Sequence, residues 1–108
     1  MDKMYTVGES LAAQADYDRI DDFLFEMTGD SALASRVVME LSGFVGRLSR
    51  LPHQGTRRDD ILPGLRVLPL GKAVIAFTVD DEARTVFVLR LFYGGEDIMT
   101  ALGKIDLT

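Results

Sequence analysis

Two arginines and one tyrosine in the second half of the chain have side chains that could bind or act on a ligand. Arg66 is the one charge in the apolar run Leu65–Leu70, and Arg90 interrupts the apolar run Thr85–Tyr93, which ends on Tyr93. An isolated buried charge is costly, so each arginine must be paired, solvated or functional. Arginine can hold an anion through several N–H donors, and the tyrosine hydroxyl can donate a hydrogen bond to a ligand or anchor the sheet edge.

The charged stretch 53–63 adds groups that could also meet an anion. It holds the single histidine, His53, and the sequence Arg57-Arg58-Asp59-Asp60. We interpret His53 as a solvated loop histidine rather than an acid–base catalyst. We interpret Arg57 and Arg58 as surface charges paired with Asp59 and Asp60 rather than as phosphate ligands.

Composition limits the classes of protein to which the chain can belong. Its 108 residues, 47% hydrophobic and 27% charged, fit a single globular domain, 1–108. One histidine and no cysteine offer no ordinary zinc ligand set, so neither a metal nor a cofactor is predicted. A net charge of -5 argues against direct nucleic-acid binding by the whole surface. No run approaches the roughly 18 apolar residues of a membrane span, and we expect a cytoplasmic protein.

The first half of the chain predicts a short strand at 4–7 and then two helices. Ser10 can cap the first helix and Gly29 can end it, while Asp30 or Ser31 can cap the second, which Pro52 stops. The connection is short, so the helices should form an antiparallel hairpin. The buried face of the first helix is predicted to carry Ala13, Tyr17, Ile20, Leu24 and Met27.

Four residues do not fit a plain amphipathic pair. Phe25 falls on the acidic side of the first helix, and Met39, Gly43 and Gly46 fall on the far side of the second. Glycine inside a helix costs about 0.8–1 kcal/mol relative to alanine. The four are either tolerated surface residues or a close-approach surface for a partner chain.

The second half predicts strands at Leu65–Leu70, 73–79 and Thr85–Tyr93, followed by a short helical turn at 97–102. This order gives an α+β two-layer fold with a three-stranded antiparallel meander. The last two strands are apolar on both faces, with Arg90 on the side of Val86, Val88 and Phe92. Two helices can cover only one face, so either the sheet curls strongly or a partner covers the second face. We favour a partner, and we expect the chain to self-associate when purified alone.

A set of short motifs runs over most of the chain in a recognisable order. They are Tyr5-Thr6-Val7, Ala13-Gln14-Ala15-Asp16-Tyr17 with Ile20, Leu48, Leu51, Pro52, Gly55, Pro63-Gly64-Leu65-Arg66, Pro69, Ile75-Ala76-Phe77-Thr78-Val79, Val88-Leu89-Arg90-Leu91 and Asp97. In these residues the chain resembles the RelE/ParE superfamily of bacterial toxins, and its ParE branch more closely than its RelE branch.

The resemblance implies a type II toxin that a small cognate antitoxin wraps and blocks. RelE-like members cut messenger RNA at the ribosome, whereas ParE-like members poison DNA gyrase. Contact with nucleic acid would then come through the antitoxin complex. The antitoxin would also be the partner that covers the second face of the sheet.

The resemblance matches only part of the RelE-like catalytic set. Such enzymes carry lysines and arginines on the sheet and a tyrosine near the C-terminus, and Arg66 matches their first-strand arginine. No tyrosine follows Tyr93, and Glu96-Asp97 stand where such enzymes carry basic residues. Arg57-Arg58 stand where such enzymes carry a lysine pair.

We therefore predict a ParE-like toxin that inhibits DNA gyrase by direct binding. An mRNA endonuclease of the RelE type is the first alternative, and a non-toxic binding module of the same fold is the second. Arg66, Arg90 and Tyr93 are the candidates for catalysis if the chain is an enzyme. The candidates for partner contact are Phe25, Met39, Gly43, Gly46, Arg57, Arg58, Arg66 and Arg90.

Overall fold

Two helices and five strands build the part of the chain that the computed structural model describes, residues 4–94. The helices cover one face of a mixed sheet with the strand order β1-β5-β4-β3-β2, which confirms the predicted α+β fold. In chain order the elements are β1 (Thr6–Glu9), α1 (Leu11–Thr28), α2 (Ser31–Arg47), β2 (Thr56–Arg57), β3 (Leu65–Leu70), β4 (Ala73–Asp80) and β5 (Thr85–Tyr93).

The helix hairpin begins and turns where the capping residues predict. The Ser10 side chain accepts a hydrogen bond from the Ala13 N–H, and Gly29 ends α1 in the left-handed region at φ 67°. Asp30, rather than Ser31, caps α2 by accepting from the N–H of Leu33 at 3.0 Å. These caps satisfy backbone groups that the first and last turns leave without helical partners.

The sheet contains the predicted meander and two features that the sequence did not predict. Strands β3, β4 and β5 pair antiparallel in order, and β1 pairs with β5 in parallel. Strand β1 begins at Thr6, two residues after the predicted start of this strand. Stretch 53–63, predicted as a loop, contains β2, whose Arg57 pairs with Arg66 of β3. A strand of two residues is too short to leave an alternating pattern in the sequence.

A β-bulge changes which side chains share a face of β5. Ala76 pairs with Arg90 but Phe77 pairs with Val88, so Leu89 is an extra residue in β5. The prediction that grouped Arg90 and Phe92 with Val86 and Val88 is therefore wrong. Val86 and Val88 pack in the core under the helices, whereas Phe92 and Leu89 pack on the opposite face.

The centre of the opposite face of the sheet is buried by the chain itself, whereas Phe87 on that face is 41% exposed. Its apolar centre is Leu65, Ala76, Leu89 and Phe92, each no more than 5% exposed. Ile61 and Leu62, from the turn that follows β2, pack against this centre. The interpretation that we favoured, a partner covering this face, is wrong for these side chains, and the predicted self-association loses its basis there. The sequence did not predict this burial, because Ile61 and Leu62 directly follow Asp59 and Asp60 in a stretch with the composition of a polar loop.

The far end of α1 is less buried than its apolar spacing predicts. Leu24 is the last buried residue of the helix, and Met27, which was placed on the same face, is 70% exposed. No helix among residues 4–94 is long and apolar enough to cross a membrane. The helical turn predicted at 97–102 lies outside the described residues.

Candidate functional site

Arg90, one of the catalytic candidates, is tied to a buried carboxylate on α1. Its Nε donates to Asp16 Oδ2 at 2.8 Å and its Nη2 donates to Asp16 Oδ1 at 3.0 Å. Asp16 is only 3% exposed and also accepts from the backbone N–H of Leu91 at 2.8 Å and from Arg19 Nη2 at 3.2 Å. The Arg90 guanidinium also lies 5.3 Å from the centre of the Phe92 ring. Arg90 is thus engaged in a network that joins α1 to β5.

Arg66 lies at the start of β3, on the face that the helices cover. It pairs with Phe77 of β4, a core residue under the helices, and with Arg57 of β2. Its guanidinium donates a long hydrogen bond, 3.4 Å from Nη1 to the backbone oxygen of Gln54. Arg66 is half-buried, so its charge is partly shielded from water but not sealed in the core.

Tyr5 and His53, from two distant segments, form a polar cluster with Asp81 in the turn between β4 and β5. The Tyr5 hydroxyl donates to Asp81 Oδ1 at 2.7 Å, and His53 Nε2 lies 2.7 Å from the same oxygen. The Tyr5 and His53 rings meet edge to face, with centres 5.9 Å apart. The hydrogen bonds from Tyr5 and His53, and less strongly the charge of Arg66, lower the pKa of Asp81. The bond to the Asp81 carboxylate in turn raises the pKa of Tyr5.

The three catalytic candidates do not come together. Tyr93 pairs with Ala73 of β4, four residues from Phe77, the partner of Arg66, so Tyr93 and Arg66 are roughly 13 Å apart along the strand. Arg90 pairs with Ala76 on the opposite face of the sheet. One phosphate could not contact all three side chains in this arrangement.

Tyr93 instead lines a groove between α2 and the turn that joins β3 to β4. The groove has a volume of about 210 Å³. Glu40 and Lys72 add one charge of each sign to its lining, and the apolar residues lining it are Val37, Leu41, Phe44, Leu70 and Ala73.

Arg57 and Arg58 form the ion pairs that the sequence predicts. Arg57 Nη2 donates to Asp59 Oδ1 at 3.0 Å, and Arg58 holds both oxygens of Asp60 at 2.9–3.0 Å. Asp59 also accepts from the backbone N–H of Gly64, which, together with Arg57, lowers the pKa of Asp59. The Asp59 and Asp60 side chains are more than half exposed.

The four residues proposed as a close-approach surface are all exposed. Phe25 on α1 is 51% exposed and Met39 on α2 is 73% exposed. A Cβ built at Gly43 or Gly46 meets no described atom within 4 Å, so neither glycine is required by packing within the chain. Their small size leaves room for another backbone to approach α2 closely.

Three of the residues that organise these sites were not singled out as functional candidates from the sequence. Tyr5 and Asp81 are 76 residues apart, and no local pattern connects them. Asp16 belongs to a helix with many acids, and only its burial distinguishes it. The sole signal for the polar cluster is that His53 is the single histidine, and it was interpreted as solvated. Among residues 4–94, no three His, Asp or Glu side chains are placed to hold a metal ion.

Comparison with known proteins agrees with this fold. The P. aeruginosa chromosomal ParDE toxin–antitoxin system is 26% identical, with a TM-score of 0.71 over 84% of this chain and 97% of that chain. The toxin–antitoxin complex RelBE2 from Mycobacterium tuberculosis is 25% identical, with a TM-score of 0.64 over 86% and 94%. A free mutant of E. coli RelE is 14% identical with a TM-score of 0.61 over 93% and 94%, a likeness of fold alone.

The sequence comparisons identify the family. No curated protein sequence matches the chain. The family model of the ParE toxin of the type II toxin–antitoxin system parDE matches residues 10–98, which span both helices and the whole meander. The chain therefore belongs to the ParE toxin family and is a ParE/RelE-type toxin of a type II toxin–antitoxin system.

Proposed function

We propose that this toxin inhibits DNA gyrase by direct binding and that a cognate antitoxin neutralises it. The observation that carries the proposal is the separation of Arg66, Arg90 and Tyr93, the residues suited to RNA cleavage. Arg90 is held by Asp16, and Tyr93 lies roughly 13 Å from Arg66 along the sheet. Cleavage of RNA requires a proton acceptor, a proton donor and cations around one phosphate. Inhibition by binding requires no such set.

Arg66 is the arginine that we propose as a contact with the target. It is half-buried, it makes only one long hydrogen bond to the described residues, and it lies beside the exposed Arg57. Partly buried arginines are frequent among the residues that dominate protein interfaces.

A gyrase supercoiling assay run beside a ribosome-programmed mRNA cleavage assay tests the target. We expect the purified toxin to block supercoiling and to leave the mRNA intact. Arg66→Ala should weaken the inhibition about tenfold, equivalent to about 1.4 kcal/mol of binding free energy. Arg36→Ala, which removes an exposed arginine from α2, is the matched control and should retain full inhibition.

Two outcomes would replace the proposal with an alternative. Specific mRNA cuts with normal supercoiling would identify a RelE-type endonuclease. Induced expression without growth arrest, in cells that lack the antitoxin, would identify a non-toxic binding module. A folded, purified chain that neither blocks supercoiling nor cuts mRNA would also be identified as a non-toxic binding module.

The antitoxin is proposed to contact the exposed outer side of the helix hairpin. The related P. aeruginosa ParDE and M. tuberculosis RelBE2 structures are of toxin–antitoxin systems. In this toxin, Phe25 and Met39 expose apolar area, being 51% and 73% exposed, and Gly43 and Gly46 leave space above α2. An apolar segment of the antitoxin would bury this area, which charged side chains could not do favourably.

Co-expression with the product of the neighbouring reading frame tests this surface. Met39→Glu should lower capture of that protein at least tenfold, because the glutamate would be buried without a partner. Leu11→Glu is the matched control. Leu11 is an 82% exposed apolar residue at the N-terminal end of α1, whereas Phe25 lies near the C-terminal end of that helix. Equal capture of both variants would move the antitoxin site to another face.

A further inference from the structure

Two methionines of the helix hairpin are almost equally exposed but lie on different surfaces. Met39 is 73% exposed on α2, and Met27 is 70% exposed at the end of α1. Met39 belongs to the outer side of the hairpin with Gly43 and Gly46, whereas Met27 falls on the same face of α1 as the buried Leu24. The chain has no cysteine, so the thioethers of its methionines are its only sulfur groups open to oxidation.

The neighbours of Met39 on α2 leave its sulfur accessible. Residues three and four positions apart on a helix lie beside one another, and for Met39 these are Ser35, Arg36, Ser42 and Gly43. All four are exposed, and a Cβ built at Gly43 meets no described atom within 4 Å. Two serines and a glycine are too short to shield the thioether, so a small oxidant can reach it in the free toxin.

We propose that Met39 is an oxidation site at which peroxide blocks binding of the antitoxin to the free toxin. Hydrogen peroxide transfers one oxygen atom to the Met39 sulfur: the O–O bond breaks, an S–O bond forms and water leaves. The sulfur loses two electrons and the peroxide gains them, so the step needs no other reactant. This inference rests on the proposed antitoxin contact at α2, and it adds a mode of regulation to that contact.

The product of this step is unfavourable in the contact. Methionine sulfoxide is a polar side chain with an added hydrogen-bond acceptor, whereas the thioether is apolar. An apolar antitoxin segment over Met39 would bury the sulfoxide oxygen without a donor, which costs free energy. The net charge of the chain does not change, so the long-range electrostatic interaction between the two proteins stays the same.

The contact also makes the reaction selective for one state of the toxin. Bound antitoxin would cover Met39 and slow its oxidation, whereas Met39 of the free toxin is exposed. Peroxide therefore acts after the toxin has separated from its antitoxin, and it prevents recapture. Methionine sulfoxide reductases reverse the modification, so the block lasts as long as oxidation outpaces reduction.

Capture of the antitoxin by oxidised toxin tests the inference. The purified full chain is treated with hydrogen peroxide, catalase removes the excess, and the untreated product of the neighbouring reading frame is added. Trypsin cuts after Arg36, between Met27 and Met39, so mass spectrometry quantifies the oxidation of each methionine in a separate peptide. We expect both methionines to be oxidised to a similar extent. Capture should weaken about tenfold, because the sulfoxide of Met39 would be buried without a donor.

Two leucine variants assign the effect to one sulfur. Met39→Leu keeps an apolar side chain without sulfur, so it should bind the antitoxin like the untreated native chain and lose less than about twofold after peroxide. Met27→Leu is the matched control and should lose about as much capture after peroxide as the native chain, since Met27 is exposed outside the contact. Met39→Gln, which is neutral and polar, should weaken capture without peroxide.

Three results would overturn the inference. Full capture by a chain whose Met39 is oxidised would exclude the effect, and an equal loss in Met39→Leu would assign it to another residue. Oxidation of Met27 without oxidation of Met39 would mean that Met39 is shielded. Met39→Glu separates these outcomes from failure of the antitoxin contact itself. Normal capture of Met39→Glu would reject the contact and the inference together, whereas weak capture of Met39→Glu with full capture of the oxidised chain would reject the inference alone.

Discussion

The two edges of the sheet are closed in opposite ways. Where β1 ends, side chains of the α1 segment replace a strand: Ser10 donates to Leu89 O, Asp16 accepts from Leu91 N, and Arg19 donates to Leu91 O, each at 2.8 Å. At the other edge, β2 is two residues long and Pro69 offers no N–H where β3 continues past it.

This difference predicts that the α1 edge contributes to the stability of the fold and that the β2 edge is available to partners. The Asp16–Arg90 pair has its carboxylate buried, so solvent cannot replace a lost partner. The pairs of Arg57 and Arg58 leave most of their carboxylate surface in water, where an ion pair contributes little. Changes to the ion pair at the α1 edge should therefore destabilise the fold, and changes to the ion pairs at the β2 edge should leave the fold intact and affect partners.

The largest effect is expected from Asp16→Asn. The amide would leave Arg90 and Arg19 without their carboxylate, and breaking a buried pair costs about 3–5 kcal/mol. Urea denaturation measures the loss in the free energy of unfolding. Asp18→Asn, two residues away and exposed, is the matched control and should change it by less than about 0.5 kcal/mol. Similar losses in both variants would refute the assigned role of Asp16.

A second test compares two glycines near the β2 edge that have nearly the same positive φ. Gly55 has φ 79° and Gly64 has φ 80°. A Cβ at Gly55 would lie 2.6 Å from the backbone oxygen of Val67, whereas a Cβ at Gly64 meets no described atom within 4 Å. Gly64→Ala should cost about 1–2 kcal/mol for its left-handed conformation. Gly55→Ala should cost about 1–3 kcal/mol more, because β2 must move away from β3.

Urea denaturation of both alanine variants separates the two terms. The difference between them reports the close approach of Gly55 to Val67, since both replaced glycines have a positive φ near 80°. Equal losses in the free energy of unfolding would mean that the loop moves away from β3 in Gly55→Ala at no cost in stability.

The third test measures both edges by the same double-mutant cycle. The Arg58–Asp60 pair should give a coupling energy of about 0.2–1 kcal/mol, as exposed pairs do. The Asp16–Arg90 pair should give a larger coupling energy, because its carboxylate is only 4% exposed. Equal coupling energies would contradict the distinction between an α1 edge that stabilises the fold and a β2 edge that is available to partners.

Local chemistry made the helices and the meander predictable. Ser10, Gly29 and Asp30 carry cap preferences that act within a few residues, and the apolar runs of β3, β4 and β5 are long. The bulge at Leu89 was not predictable, because both neighbouring side chain sets are apolar and a shift of one residue leaves the pattern unchanged.

The sites were less predictable than the fold, because their residues meet only after folding. Arg66 was singled out as an unusual charge, whereas Tyr5, His53 and Asp81, which form the polar cluster, come from three separate segments. Arg90 was left between an ion pair and a site, and its partner Asp16 lies 74 residues earlier. A long separation in sequence leaves no spacing for a pattern to show.

The smallest effect is expected from acid, at the exposed edge. The Gly64 N–H and Arg57 lower the pKa of Asp59, so the folded state binds fewer protons than the unfolded state as the pH falls below about 4. This contribution is present above the unfolded pKa of about 3.9 and is lost as the pH falls through the folded value. Asp59→Asn should therefore make the urea midpoint fall less steeply between pH 4 and 2. A native slope for Asp59→Asn would contradict the assigned bonds.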